Sequence, residues 1–174
     1  MPKVRRIAFP AESRLHRDLD RASYVDAFET DLVDASLTPV EIATQALAST
    51  PRWVEGLIGL RDGIVSVFGL RTSNGVRFTD VGPISSAASR PPAVGDAFGI
   101  FRVFSVDGSE LVLGIDDRHL DVRISFLKRH GLARSSYVLS SWVETHNLLG
   151  RTYMLPVAPI HRLLVGVLMR GAPM

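Results

Sequence analysis

The chain contains no cysteine, which removes disulfides, thiolate metal centres and cysteine nucleophiles at once. It has little charge of one sign: 20 Lys and Arg against 18 Asp and Glu give a formal +2. The arginines are scattered rather than striped, so the basic footprint of a nucleic-acid binder is missing and no nucleic-acid partner is expected. No Gly-x-Ser-x-Gly occurs, and no glycine-rich phosphate loop. Ser140 and Ser141 have no evident base in the sequence beside them. The basic N-terminus, MPKVRRIAFPAES, lacks the apolar core of a secretory signal. The expectation is therefore a cytoplasmic protein without a cofactor or a bound metal. There is no internal repeat.

Apolar residues, in contrast, are plentiful. They make up 46% of 174 residues, enough for one real core. Residues 1–22 are charged and read as an extended N-terminal arm; residues 23–174 read as one domain. Tyr24, Val25, Phe28 and Leu32 mark a first strand. Thr38-Pro39-Val40-Glu41 opens a helix: Thr38 caps, Pro39 takes the first helical position and Glu41 completes a capping box. Thr50-Pro51 repeats the start signal, and Trp53, Leu57, Leu60, Ile64 and Phe68 share one face of a second helix. Residues 71–95, rich in Gly, Ser, Ala and Pro, read as a long loop, of the kind that is often functional.

The strongest pattern lies further on. Residues 98–106 are β-prone, Asp107-Gly108 suits the positive φ angles of a type I′ hairpin turn, and residues 111–115 return. Leu120, Val122, Ile124 and Phe126 then alternate with His119, Asp121, Arg123 and Ser125, the period of a strand. His130-Gly131 breaks the run before the strand at residues 135–145. Short connections favour an antiparallel meander. Asn147 can cap a helix from Leu148 to about residue 170. From Ile160 to Met169 that helix is apolar nearly all round, which implies a central position. Pro156 and Pro159 predict a kink or break. The apolar run falls short of the ~20 residues that cross a bilayer, so no membrane span is expected.

The order of strand, two helices, antiparallel strands and long helix resembles the START-like helix-grip (SRPBCC) superfamily. That group includes polyketide cyclase/dehydrase proteins, lipid-transfer domains and plant pathogenesis-related proteins. More closely, the chain resembles an uncharacterised bacterial family known only by a domain-of-unknown-function label. The resemblance rests on Thr50-Pro51-Arg52-Trp53, on Gly114-Ile115-Asp116-Asp117-Arg118-His119-Leu120-Asp121, on Thr145-His146-Asn147 through Gly150-Arg151, and on Pro159-Ile160-His161-Arg162. It covers about residues 24–170. It implies an α+β fold in which a curved antiparallel sheet wraps a long C-terminal helix, with two short helices after the first strand. Some members follow a short-chain-dehydrogenase-like domain, for which this sequence carries no phosphate loop.

The candidate site residues divide in two. Asp116, Asp117, His119 and Asp121 have the composition of a metal cluster, but a solvated turn with Asp121 pairing Arg123 is the simpler reading. His146 or Asp117 could move protons, although helix N-termini need polar partners such as His146 and Asn147. His161 reads as a partly buried, hydrogen-bonded histidine. Trp53, Phe98, Phe101, Phe104, Tyr137 and Trp142 are expected to face the space between sheet and helix, as core or as cavity wall. Ser141 and Thr145 share a strand face with Tyr137 and could orient a ligand there. A pocket lined by Trp53, Phe101, Tyr137, Ser141, Trp142, Thr145 and Met154 would take a small apolar or aromatic molecule. Two other readings stand beside this one. The first is a cyclase, dehydratase or isomerase acting on a polyketide-like substrate. The second is an interaction module without ligand. A homodimer is compatible with all three.

Overall fold

The computed structural model describes residues 3–49, 91–131 and 134–171. Alternating apolar and polar residues become strands wherever a polar turn lets the chain reverse. Among the described residues seven form: β1 (Arg5–Arg6), β2 (Tyr24–Asp31), β3 (Ala97–Phe98), β4 (Phe101–Val106), β5 (Glu110–Asp116), β6 (Leu120–His130) and β7 (Ser135–Thr145). They make one curved antiparallel sheet in the order β1-β2-β7-β6-β5-β4-β3. Strands β4 to β7 are the expected meander. The long-range pairing is between β2 and β7, which pair from Tyr24 opposite Val143 to Asp31 opposite Ser136.

Among the described residues, two helices lie on the inner face: α1 (Pro39–Ala48) and α2 (Leu148–Gly171). Helix α1 begins as its sequence dictates. The Glu41 carboxylate accepts from the Thr38 N–H at 2.8 Å, and Thr38 Oγ1 accepts from the Glu41 N–H. Ile42, Ala43, Ala46 and Leu47 of α1 share one core with Phe28, Phe101, Leu111, Phe126, Tyr137 and Leu139 of the sheet and with Val165 and Met169 of α2. The architecture is α+β and helix-grip-like. The helix expected from Trp53 onward, and nearly all of the loop expected at 71–95, lie outside the described residues.

Several local expectations need correction. Gly108 does not take positive φ; among the described glycines only Gly95 and Gly99 do. The Asp107 side chain shapes that turn instead. Its Oδ1 accepts from the Ser109 N–H, the Ser109 hydroxyl and the Glu110 N–H. An Asx turn of this kind closes the hairpin without a left-handed glycine. Gly99, at φ +60°, divides the stretch at 98–106 into β3 and β4. Helix α2 runs unbroken through Pro156 and Pro159. These prolines free the carbonyls of Thr152 and Leu155, which lie on the exposed side where water can bond them.

The N-terminal segment is no loose arm. After β1 it forms a 3₁₀ helix, Arg14–Arg21, on the outer face of the sheet. Glu110 anchors it: this buried carboxylate accepts from the Ser13 hydroxyl at 2.6 Å, the Arg14 N–H at 2.9 Å and the Ser125 hydroxyl at 2.5 Å. Leu15 packs on Val112 and Trp142, while Phe9 joins Ala27, Leu127 and Val138. The many charges of this segment conceal that sparse apolar set.

Helix α2 also differs from the all-round burial its composition implies. Val165, Leu168 and Met169 are buried, but Leu148, Leu155 and Leu163 are 78%, 75% and 72% exposed. By length and composition alone, Leu148–Arg170 could cross a membrane. Its inner side, however, belongs to the core of the sheet.

Candidate functional site

Side-chain alternation on β7 sorts the aromatic candidates. Odd positions face inward, so Tyr137, Leu139, Ser141 and Val143 look toward the helices; Trp142, an even position, must face outward. The structure agrees. Phe98, Phe101 and Tyr137 are in the inner core, whereas Trp142 and Phe104 pack on the outer face with Leu15. The Trp142 indole N–H donates to the Asp18 carbonyl at 2.9 Å, and the Arg123 guanidinium sits 3.6 Å from the centroid of Phe104. Trp142 is thus no inner pocket wall. Thr145 closes the inner face at its rim, its hydroxyl 2.7 Å from that of Ser23. Met154 is half-buried on the first half of α2. Trp53 lies outside the described residues.

The two proton-transfer candidates occupy another junction. His146 Nε2 lies 3.2 Å from Asp121 Oδ1. The Gly150 N–H donates to Asn147 Oδ1 at 3.1 Å, the expected cap, and Asn147 Nδ2 contacts His119 Nδ1 at 2.8 Å. Asp117 Oδ1 accepts from the His119 N–H at 3.3 Å within the turn. Arg123 pairs with Asp116, not Asp121, at 2.5 Å. The group ties the β5–β6 turn to the start of α2. Among the described residues, no three His, Asp or Glu side chains converge as a metal site.

The inner face holds a polar cluster that sequence reading did not assemble. Asp26 lies on β2 between Tyr24 and Phe28, facing inward, and its side chain is 0% exposed. The Tyr24 hydroxyl donates to Asp26 Oδ2 at 2.5 Å. His161, from α2, places Nε2 3.9 Å from the same oxygen and 2.8 Å from the Ser141 hydroxyl. The Arg162 Nε–H donates to the Tyr24 hydroxyl at 3.3 Å. Asp26 Oδ1 has no hydrogen-bond partner among the described residues, and neither have Thr30 Oγ1 and the Tyr137 hydroxyl further along the same face.

The electrostatics follow from burial. Burial holds His161 below the usual histidine range, opposed by the Asp26 charge, so it is neutral at neutral pH. Burial, and then the Asp26 hydrogen bond and charge, push Tyr24 up to about 12, so it stays a donor. Ser141 and Asp26 both address the same ring nitrogen of His161. A serine–histidine–acid relay needs its acid on the other nitrogen, so this is not a nucleophile triad. What the cluster offers is one fixed acceptor, Asp26 Oδ1, and one neutral imidazole. His161 keeps 25% of its side chain exposed.

A space of about 240 Å³ opens on the outer face beneath the 3₁₀ helix, among Arg14, Arg21, Phe104, Arg123 and Trp142. Its arginines are engaged: Arg14 with Asp107 and Arg21 with Glu144, and Arg123 with Asp116.

The fold and this cluster define a helix-grip-like protein with a buried polar patch on its inner wall. Residues 19–168 match the family described as Protein of unknown function (DUF2867), and the chain belongs to that family. No curated protein matches it, and no solved structure does.

The signal for the cluster was present in part. Tyr24, Asp26, Phe28 and Thr30 share one face of a strand, and a carboxylate among apolar neighbours on a core-facing strand is out of place. Its partners Ser141 and His161 are too far along the chain for spacing to reveal.

Proposed function

We propose that the inner face binds a small, mostly apolar or aromatic molecule carrying one hydrogen-bond donor, which Asp26 Oδ1 receives. The observation that carries this reading is the buried carboxylate oxygen without a partner. Such a group costs folding free energy, about 1–3 kcal/mol or more when charged, and a ligand donor would offset it. Phe28, Leu139 and Tyr137 on the same inner face are apolar core residues, and apolar surroundings with few polar anchors are typical of small-molecule sites. The resemblance to the START-like superfamily, whose members include carriers of apolar molecules, points the same way.

The test compares β-naphthol with naphthalene, an apolar pair that differs by a single O–H donor. Isothermal titration should show β-naphthol binding more tightly by about tenfold or more, the worth of a hydrogen bond to a charged acceptor. In Asp26→Leu that preference should vanish. Equal binding of the two probes by the unmodified protein would overturn the assignment.

A second reading, a proton-moving isomerase or cyclase, is favoured by one observation: a neutral His161 beside a buried acid. In this reading His161 replaces His146 and Asp117 as the base. A rate that rises with pH through the His161 titration and is lost in His161→Gln would support it.

A further inference from the structure

Helix α2 turns two different sides to its surroundings. At 100° per residue, Leu148, Leu155, Pro159 and Leu163 fall in one narrow sector, and all four are exposed. Arg151 and Arg170 lie within or beside that sector and are exposed too, as is Arg162, which also bonds the Tyr24 hydroxyl. The 24 residues of α2 contain these three arginines and no Asp or Glu. The opposite side is held in place: Leu168 is buried, Val165 is in the core, His161 bonds Ser141, and a Cβ at Gly150 would come within 2.3 Å of the His119 carbonyl oxygen.

We infer that this exposed face docks on an anionic lipid surface, with the helix lying parallel to it. The leucines, whose side chains are largely in water, would enter the acyl boundary, while the arginines meet the phosphates at headgroup depth. The helix is about 36 Å long at 1.5 Å per residue, so the whole strip can lie flat. A crossing orientation is excluded by the core packing on the other side. Charge decides against a second copy of the chain as occupant. A two-fold axis would set this face against itself, bringing arginines toward arginines with no acid on the helix to pair them. It also decides against nucleic acid, which would use the arginines and leave the leucines exposed. The inference is independent of whether the inner face holds a ligand.

The test is flotation of the full chain with vesicles of phosphatidylcholine and phosphatidylglycerol in equal parts, against phosphatidylcholine alone. The protein should float with the mixed vesicles, bind the neutral ones far less, and be released by salt. L155E/L163E replaces two exposed side chains and should fold normally by circular dichroism, yet lose more than tenfold in partitioning. R151Q/R170Q should lose about 25-fold on mixed vesicles, at roughly fivefold for each arginine near an anionic surface. It alters no packed side chain, so it carries the test even if the first variant misfolds. No binding by the unmodified protein would overturn the inference. So would full binding by R151Q/R170Q, or a dimer in analytical ultracentrifugation that L155E/L163E dissociates.

Discussion

Asp26→Asn separates a binding role from a structural one, because the two predict opposite changes in stability. The Asp26 side chain is fully buried, and desolvating a carboxylate costs several kcal/mol in a folded protein. Against that stands one charge-assisted bond from Tyr24, worth about 1.5–3 kcal/mol. His161 adds no ion pair at neutral pH, because burial keeps it neutral there. Oδ1 adds nothing at all. Asparagine still accepts from Tyr24, now through a neutral bond of about 0.5–1.5 kcal/mol, and leaves an unpaired amide where Oδ1 was. Removing the charge should outweigh the weaker bond. The variant should therefore be equal in stability or up to about 2 kcal/mol more stable, as when buried ionic groups elsewhere give way to uncharged ones. Urea denaturation at pH 7.5 reads this directly. With a slope of about 1–3 kcal/mol per M, each kcal/mol raises the midpoint by roughly 0.3–1 M while the slope stays unchanged. A loss of more than about 1 kcal/mol would refute the reasoning, since it would show that the fold depends on the charge. A stable variant that no longer prefers β-naphthol would mark Asp26 as kept at the expense of stability.

His161 gives a pH signature. Its folded value lies below that of the unfolded chain, so as pH falls through about 6.5 the unfolded state takes up a proton first and stability drops; His161→Gln should flatten that part of the curve in urea midpoints measured between pH 5 and 8. Gly150→Ala should cost at least ~1–3 kcal/mol, the usual penalty for overpacking, because the new Cβ meets the backbone oxygen of His119 at 2.3 Å; a thermal melt that matches the parent would show that the helix start can shift. Leu168→Ala should cost about 2–5 kcal/mol, whereas Leu163→Ala, on the exposed side of the same helix, should stay within about 0.5 kcal/mol. Similar urea midpoints for the two would contradict the two-sided helix. Glu110→Gln should loosen the N-terminal segment, since an amide cannot accept from Ser13, Arg14 and Ser125 together; faster tryptic cleavage within residues 3–21 is the expected result.

Local patterns carried much of this fold. The meander was legible because β5 to β7 alternate cleanly and end in turn residues, and the limits of β7 follow from composition alone. The cap of α1 was legible because a capping box is a local device. What stayed hidden depended on contacts distant in sequence. The 3₁₀ helix has arginines at 14, 17 and 21, and reads as a solvated arm until Glu110 and Trp142 are placed beneath it. The composition of α2 gives its apolarity but not how much of its surface the sheet can cover. Parity along β7 could have put Trp142 outside, since Tyr137 and Trp142 are an odd number of residues apart. The Asp26 cluster draws on β2, β7 and α2, so only its first member could be suspected from a strand pattern.

The two-residue strands β1 and β3 have a consequence for how the protein behaves when crowded. Among the described strands they form the two rims of the sheet, and a rim is where a foreign strand can continue the hydrogen-bond ladder. One rim is Arg5-Arg6, exposed and doubly charged; the other ends within two residues, at the left-handed Gly99. Each of these strands offers only two residues of backbone to a neighbour. These two strands themselves therefore give little template for fibril growth while α2 displays its leucines. The same short rims make the first few residues a safeguard: without them, the eight-residue strand Tyr24–Asp31 would become an open border of the sheet.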